Sequence, residues 1–245
     1  MWFKKLAKLQ QPVQIVFGLI VAIAILGLQN NRYQKVAASV DRPNYLEQET
    51  NLQAKLNFQK MFPSFGFDNL IADSLYLEFV QYFGDKTARE VTGYSLVTPY
   101  FQAIAQKDPQ FTNAHLILAT ANSMYAGQAE QTVNLVDDIL HNQPTETKDL
   151  HLLWSLKATD ETLFLGNIQA AKHSYQQAAK SAQNYYQQNA SAVKFNQQKA
   201  RFLATNPETT ETQIIAWKSV LPYVIKEKEK QVIYDRISAL EAQLD

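Results

Sequence analysis

The stretch FTNAHLILATANSMYAGQAEQTVNLVDDILHNQP, Phe111 to Pro144, decides how the rest of the chain is read. In its first half Phe111, Ala114, Leu118, Ala121 and Tyr125 recur at three- and four-residue steps, which is one face of a helix. Gly127 can take the left-handed conformation that ends a helix, so a tight turn is expected at Ala126-Gly127. The second half puts Thr132, Val136 and Ile139 on one face, and Pro144 prevents simple continuation. Two helices of this length cannot bury their apolar stripes alone, so the hairpin needs neighbours.

Neighbours at a fixed period are present. Gly127, Thr132, Val136 and Ile139 are spaced by five, four and three, with Pro144 five further on. Gly166, Ala171, Tyr175 and Ala178 repeat that spacing, with Gln183 in place of the proline. Upstream, Phe101, Ile104 and Pro109 give the three and five again. At these residues the chain resembles the tetratricopeptide repeat, a helical hairpin of about 34 residues. GNIQAAKHSYQQAAKSA, Gly166 to Ala182, carries the likeness best. Leu118 and Ala119 fit the family's large-small pair, whereas Trp154 stands where a small residue is expected, so the third unit has drifted or carries an insertion. The likeness covers roughly Asp68 to Ala182 and implies an all-α fold, an α-solenoid of stacked hairpins. It speaks to fold, not to function.

The chain has 245 residues, 46% of them hydrophobic, with seven glycines and eight prolines, a composition that supports a real core. Formal net charge is zero, with 23 basic and 23 acidic residues. Lys4, Lys5 and Lys8 lie before the first apolar run, so the remainder is slightly acidic. Such a balance without a basic stripe argues against nucleic-acid binding. The absence of cysteine removes disulfides, thiolate metal sites and cysteine nucleophiles, and leaves the compartment open.

Leu9 to Asn31 is a run of 23 residues without a charge. As a helix it is long enough for a hydrocarbon core of about 30 Å. Trp2 and Phe3 suit the interface. A transmembrane anchor is expected over 9–31. The competing reading is a cleaved signal peptide ending near Val36-Ala37-Ala38, against which Arg32 and Lys35 intervene. The positive-inside rule puts the amino terminus in the cytoplasm and the remaining domain in the periplasm or a lumen, although Arg32, Lys35 and Arg42 follow closely. A bacterial plasma membrane or a thylakoid would fit. The expected organisation is an anchor over 1–31, a tether with a docking helix over 32–62, repeats over 63–206 and a helical cap over 207–245.

FGFDNLIADSLYLEFVQYFGD, Phe65 to Asp85, is the most distinctive segment. Asp68 is expected to cap a helix that Gly84 ends. This run resembles a group of bacterial repeat proteins with one amino-terminal membrane helix, in which an FDNLIAD-like motif leads into an aromatic-rich helix ending QYFG. The chain departs from the group at Tyr76, commonly tryptophan, and at Ser74, commonly leucine. The likeness implies no assigned reaction. The aromatic row is expected in the core as the array's first layer, the alternative being a surface that meets lipid or a partner. Asp73 is expected to satisfy a nearby backbone group or Arg89. Asp85 to Ser95 reads as a long inter-helix loop, with Lys86, Arg89 and Tyr94 as candidate contacts or merely solvated.

Downstream, 184–203 reads as continued glutamine-rich helix, Pro207 opens another unit and Pro222 breaks it. Ile233, Ile237, Leu240 and Leu244 give the last helix one apolar stripe, as a cap requires. No phosphate-cradling glycine loop, HExxH or GxSxG occurs. The four histidines fall on separate turns and helices. No cofactor or metal is therefore expected. What remains is the groove between stacked first helices. Its expected lining is Asn113, Thr120 and Ser123 from one hairpin and Lys148, His151 and Ser155 from the next, with polar surface as the alternative. Leu116 and Thr120 break the carboxylate-clamp pattern of lysine and asparagine. The expected role is a non-enzymatic, membrane-anchored scaffold or assembly factor that binds protein partners. A structural subunit of a membrane complex is the alternative, and an enzyme with an unrecognised site a further one.

Overall fold

The computed structural model describes residues 21, 23, 25–30, 44–61, 63–144, 147–186 and 190–244. The chain divides into two compact units, Met1–Asn44 and Tyr45–Asp245. In the first, residues 21, 23 and 25–30 are helical and exposed. The rest of the expected anchor over 9–31, and the tether up to residue 43, lie outside the described residues. Among those described, no helix is long and apolar enough to cross a membrane.

The second unit is all-α among its described residues. α1 (Tyr45–Met61), α2 (Asp68–Gly84), α3 (Lys86–Thr92) and α4 (Val97–Lys107) form its first part. α5 (Thr112–Met124) and α6 (Ala129–His141) are the hairpin from which the chain was read. α7 (Leu150–Leu163) and α8 (Ile168–Tyr186) form the next, followed by α9 (Ser191–Leu203). α10 (Thr210–Val220), a 3-10 turn (Leu221–Tyr223) and α11 (Glu227–Glu241) complete the unit. One core runs through the first helices: Phe79, Tyr100, Phe101, Leu118 and Leu153 are fully buried, one or two from each of α2, α4, α5 and α7.

The two hairpins turn in the same way. Gly127 and Gly166 have φ of 68° and 63°, the left-handed region open to a residue without Cβ. The amides of Tyr125 and Ala126 both donate to the Ala121 carbonyl, and Gln128 donates to Asn122. The amides of Phe164 and Leu165 both donate to Asp160, and Asn167 donates to Glu161. Each bond recurs at one constant offset, which sets Ala158, not Trp154, opposite Ala119; both alanines are fully buried. The third unit therefore carries its extra residues between α6 and α7. There Gln143 is buried and its amide reaches the Pro109 carbonyl.

Several local expectations are corrected. Asp68 is the first residue of α2, not its cap; Phe67 holds the cap position, and Ser64 bonds the Asp68 carboxylate. The row Ala72, Leu75, Phe79 and Tyr82 is buried, while Leu70, Leu77 and Val80 on the other side of α2 are exposed. Asp73 is exposed, and Arg89 pairs instead with Glu49, Nη1 to Oε2 at 3.1 Å. The supposed loop from Asp85 to Ser95 contains α3, whose cap is the Asp85 carboxylate accepting the Ala88 amide. Helix is not continuous over 184–203, because α8 ends at Tyr186 and α9 begins at Ser191.

The carboxyl-terminal helices run along the turn ends of the hairpins. Trp217 Nε1 donates to the Phe164 carbonyl at 3.2 Å, and the two rings meet edge to face. A Cβ on Gly127 would meet Val220, Val224 and Ile233, and one on Gly93 would meet Ile225. Residues 210–237 thus cross three successive turns as a strap, with a core of their own around Trp217, Val220 and Ile233.

Candidate functional site: a groove over a buried carboxyl group

α5, α7, α8 and α9 together line a groove of about 530 Å³. On α7, Ser155, Leu156, Thr159, Asp160 and Leu163 recur at helical steps, so the period that buries one face of α7 turns this one toward the opening. On α9, Phe195, Lys199 and Phe202 step by four and three and form an exposed ridge. Lys199 Nζ lies 5.5 Å from the centre of the Phe195 ring, a cation–π distance. The walls are mainly apolar, with Met124 and Leu203 adding to them.

Asp160 is the exception. It is buried, and Ser123 Oγ donates to its Oδ2 at 2.5 Å. Burial pushes its carboxyl up to about 7, the Ser123 bond opposes that shift, and the neighbouring Glu161 charge adds to it. Near neutrality the groove floor can therefore present either a hydroxyl donor or an anion. A serine bonded to one carboxyl, without a third group orienting a base, is a poor nucleophile arrangement. An amphiphilic ligand suits it better.

The adjacent Glu161 does different work. Ser174 Oγ donates to it at 2.7 Å and Lys157 Nζ lies 3.2 Å away, while Lys157 also meets Asp137 at 2.8 Å. Burial alone would lower the Lys157 pKa, but the Asp137 bond and the Glu161 charge outweigh it and hold it above its usual value. This chain of charges stitches α6, α7 and α8 together.

Of the expected partner-binding residues, Thr120, Ser123 and Ser155 line the groove. Ser155 Oγ donates to Asn196 Oδ1 on α9 at 2.8 Å, so it also ties α7 to α9. Asn113 and Lys148 are exposed and lie outside it. His151 is buried instead, edge-on to the Tyr186 ring, and burial lowers its pKa. Lys86, Arg89 and Tyr94 do not gather there either. Lys86 is exposed, 3.8 Å from Glu90. Arg89 is buried against the Tyr82 ring at 3.6 Å, and Nη1 donates to the Gly93 carbonyl at 2.6 Å. The Tyr94 ring lies tilted against those of Phe83 and Tyr125 beside a second cavity of about 370 Å³ that Tyr223 also lines. A third, of about 380 Å³, is lined by Glu49, Glu78, Arg89 and Tyr100 among others. Among the described residues, no three acidic or histidine side chains converge to hold a metal ion.

Asp160, Phe195, Lys199 and Phe202 were not marked by the sequence motifs. A signal for Asp160 was available: it occupies the place in the second hairpin that Ala121 holds in the first. A carboxylate where the repeat buries an alanine is a departure with no packing advantage. Comparison with known proteins adds nothing here: no family model, curated protein or solved structure matches this chain.

Proposed function

We propose that the chain is a non-enzymatic scaffold or assembly factor, held at a membrane by residues 9–31 and binding protein through a solenoid-like helical domain. In this reading the amino terminus is cytoplasmic and the domain periplasmic or lumenal. The tetratricopeptide-like reading of the domain is supported by two hairpins with the same left-handed glycine and the same turn hydrogen bonds. The observation that carries the binding role is the groove, with Phe195 and Phe202 at its rim and a titratable carboxyl on its floor. Exposed aromatic side chains beside a concave apolar wall are what an interaction site requires and a solvated surface avoids.

The test is affinity purification of the full chain from mild detergent, beside a Phe195→Glu, Phe202→Glu double variant. Both positions are exposed, so the fold is expected to survive. Partner proteins recovered with the parent chain and lost with the variant are the expected result. Identical recovery from both would sink the groove as the binding site, and no partner from either would count against the scaffold.

The alternative, a fixed subunit of a membrane complex, draws support from Ile215, Val232 and Tyr234, exposed on the strap. The aromatic face of α2 does not serve that reading, since Phe79 and Tyr82 are in the core. A constant one-to-one recovery with the same subunits would favour it over a scaffold.

A further inference from the structure

Among the described residues, the two most exposed large apolar side chains, Met61 and Phe65, lie where α1 ends and α2 begins, with exposed Phe67 and Leu70 following in sequence. Met61, Phe65, Phe67 and Leu70 are 79%, 77%, 63% and 64% exposed. The one acid among them, Asp68, is half-buried, bonded to Ser64 and 3.8 Å from Lys107 Nζ. Two turns further along α2, Leu77 is also exposed, and exposed Asp73 and Ser74 each stand about one turn from both Leu70 and Leu77. Phe65 has φ of 49° and Gly66 follows at 88°. The left-handed region is sterically costly for a phenylalanine. The turn thus holds a bulky aromatic in an unfavourable backbone conformation and leaves most of its ring in water. An apolar patch of several hundred Å² marks a contact surface.

We propose that this tip enters the interfacial layer of a lipid bilayer, as a second attachment beside the amino-terminal run. The inference rests on the reading of residues 9–31 as a membrane anchor. From the end of that run only residues 32–44 precede α1, at most about 45 Å of extended chain. α1 itself spans about 25 Å, so its far end stays within reach of the surface. A domain tethered so closely meets the bilayer at high effective concentration, and a small apolar tip then suffices. Aromatic and aliphatic side chains on a turn suit the boundary between headgroups and acyl chains, where half-buried Asp68 and exposed Asp73, one turn along α2 from Leu70, can stay among the headgroups. A second copy or a protein partner would bind the same patch only with a matching apolar surface, whereas the bilayer is supplied by the anchor.

The chain has no cysteine, so a single label can be placed cleanly. Full-length Phe67→Cys and Ile215→Cys variants, each carrying an environment-sensitive dye, are reconstituted into phosphatidylcholine vesicles containing nitroxide lipid. Quenching at position 67 at least twofold stronger than at exposed Ile215 is expected. A Phe65→Gly change in the Phe67→Cys background should raise Tm, by relieving the turn, and reduce the quenching. Equal quenching at both sites in protein that floats with the vesicles after carbonate washing overturns the tip and leaves the anchor standing. Strong quenching at 67 in protein that carbonate releases upholds the tip and overturns the anchor. Protein that does not float at all overturns both. Concentration-dependent dimerisation in detergent that shields position 67 from iodide, with no lipid quenching, replaces the bilayer by a second copy.

Discussion

Asp160 holds its proton in the fold to about pH 7, against an ordinary value of 3.8, because burial penalises the charge. The folded state therefore binds more protons than the unfolded one between those values, and its contribution to stability falls as pH rises through that window. Above it, the ionised side chain costs about 2–4 kcal/mol relative to a neutral isostere. Asp160→Asn should thus gain stability over the parent from pH 4 to 7 and hold that gain at pH 8, measured by urea unfolding at each pH. Taking the difference matters, because buried His115 has its pKa lowered and so costs the fold stability as pH falls, opposite to Asp160. A gain that does not grow with pH would show that Asp160 is ionised throughout. Tyr100 offers a second test: its ring is fully buried and its hydroxyl has no hydrogen-bond partner among the described residues. Removing an unpartnered polar atom while keeping the ring should be neutral or stabilising, within about 1 kcal/mol. A loss of more than about 2 kcal/mol in Tyr100→Phe would mean that the hydroxyl is satisfied after all.

At the scale of the element, the turns behave alike in backbone and differently in surroundings. Alanine at either Gly127 or Gly166 would be strained by the positive φ, at a cost of about 1–2 kcal/mol. At Gly127 the new methyl would also meet Val220 Cγ1 at 3.3 Å, within the packed strap. At Gly166 it would meet the Gln213 amide at 2.7 Å, the movable end of a long side chain. Gly127→Ala is expected to be the more damaging of the two in thermal unfolding, and the reverse order would show that Gln213 is held more firmly than Val220. These turns were also the most legible part of the sequence, since glycine, periodic apolar residues and a small residue after the turn all act locally. α3 was not legible, because seven residues show no clear period and the Arg89–Glu49 pair that fastens it joins positions far apart in sequence. The groove was half legible. Helical phase pointed Thr120, Ser123 and Ser155 to it, but nothing local says that α9 folds back to supply Phe195 and Phe202.

For the whole molecule, the strap changes what kind of object the domain is. A plain array of hairpins gains stability from nearest neighbours alone and loses it unit by unit. Here Trp217 bonds to Phe164, Val220 packs at Gly127 and Ile225 at Gly93, so distant units share one covering segment. Ending the chain after Asn206 should uncover all three turns and replace one cooperative unfolding transition by a broad or multiphasic one. Circular dichroism and tryptophan fluorescence (Trp154 remains) would then fail to coincide. Coincident sharp transitions in the shortened chain would reduce the strap to decoration. The sequence did mark 207–245 as a terminal helical element. It could not show that this element runs along the turn ends, because that depends on contacts such as Phe164 with Trp217.

The strap also sets a clock on the newly made chain. Gly93 leaves the ribosome roughly 130 positions before Ile225, about 7 to 26 seconds at ordinary elongation rates. Throughout that interval the turn has no cover, and the hairpins already made must wait for the segment that ties them. For a domain exported as proposed here, such late closure would be useful: a polypeptide that cannot finish folding until its last helices appear is still thin enough to be threaded across a membrane.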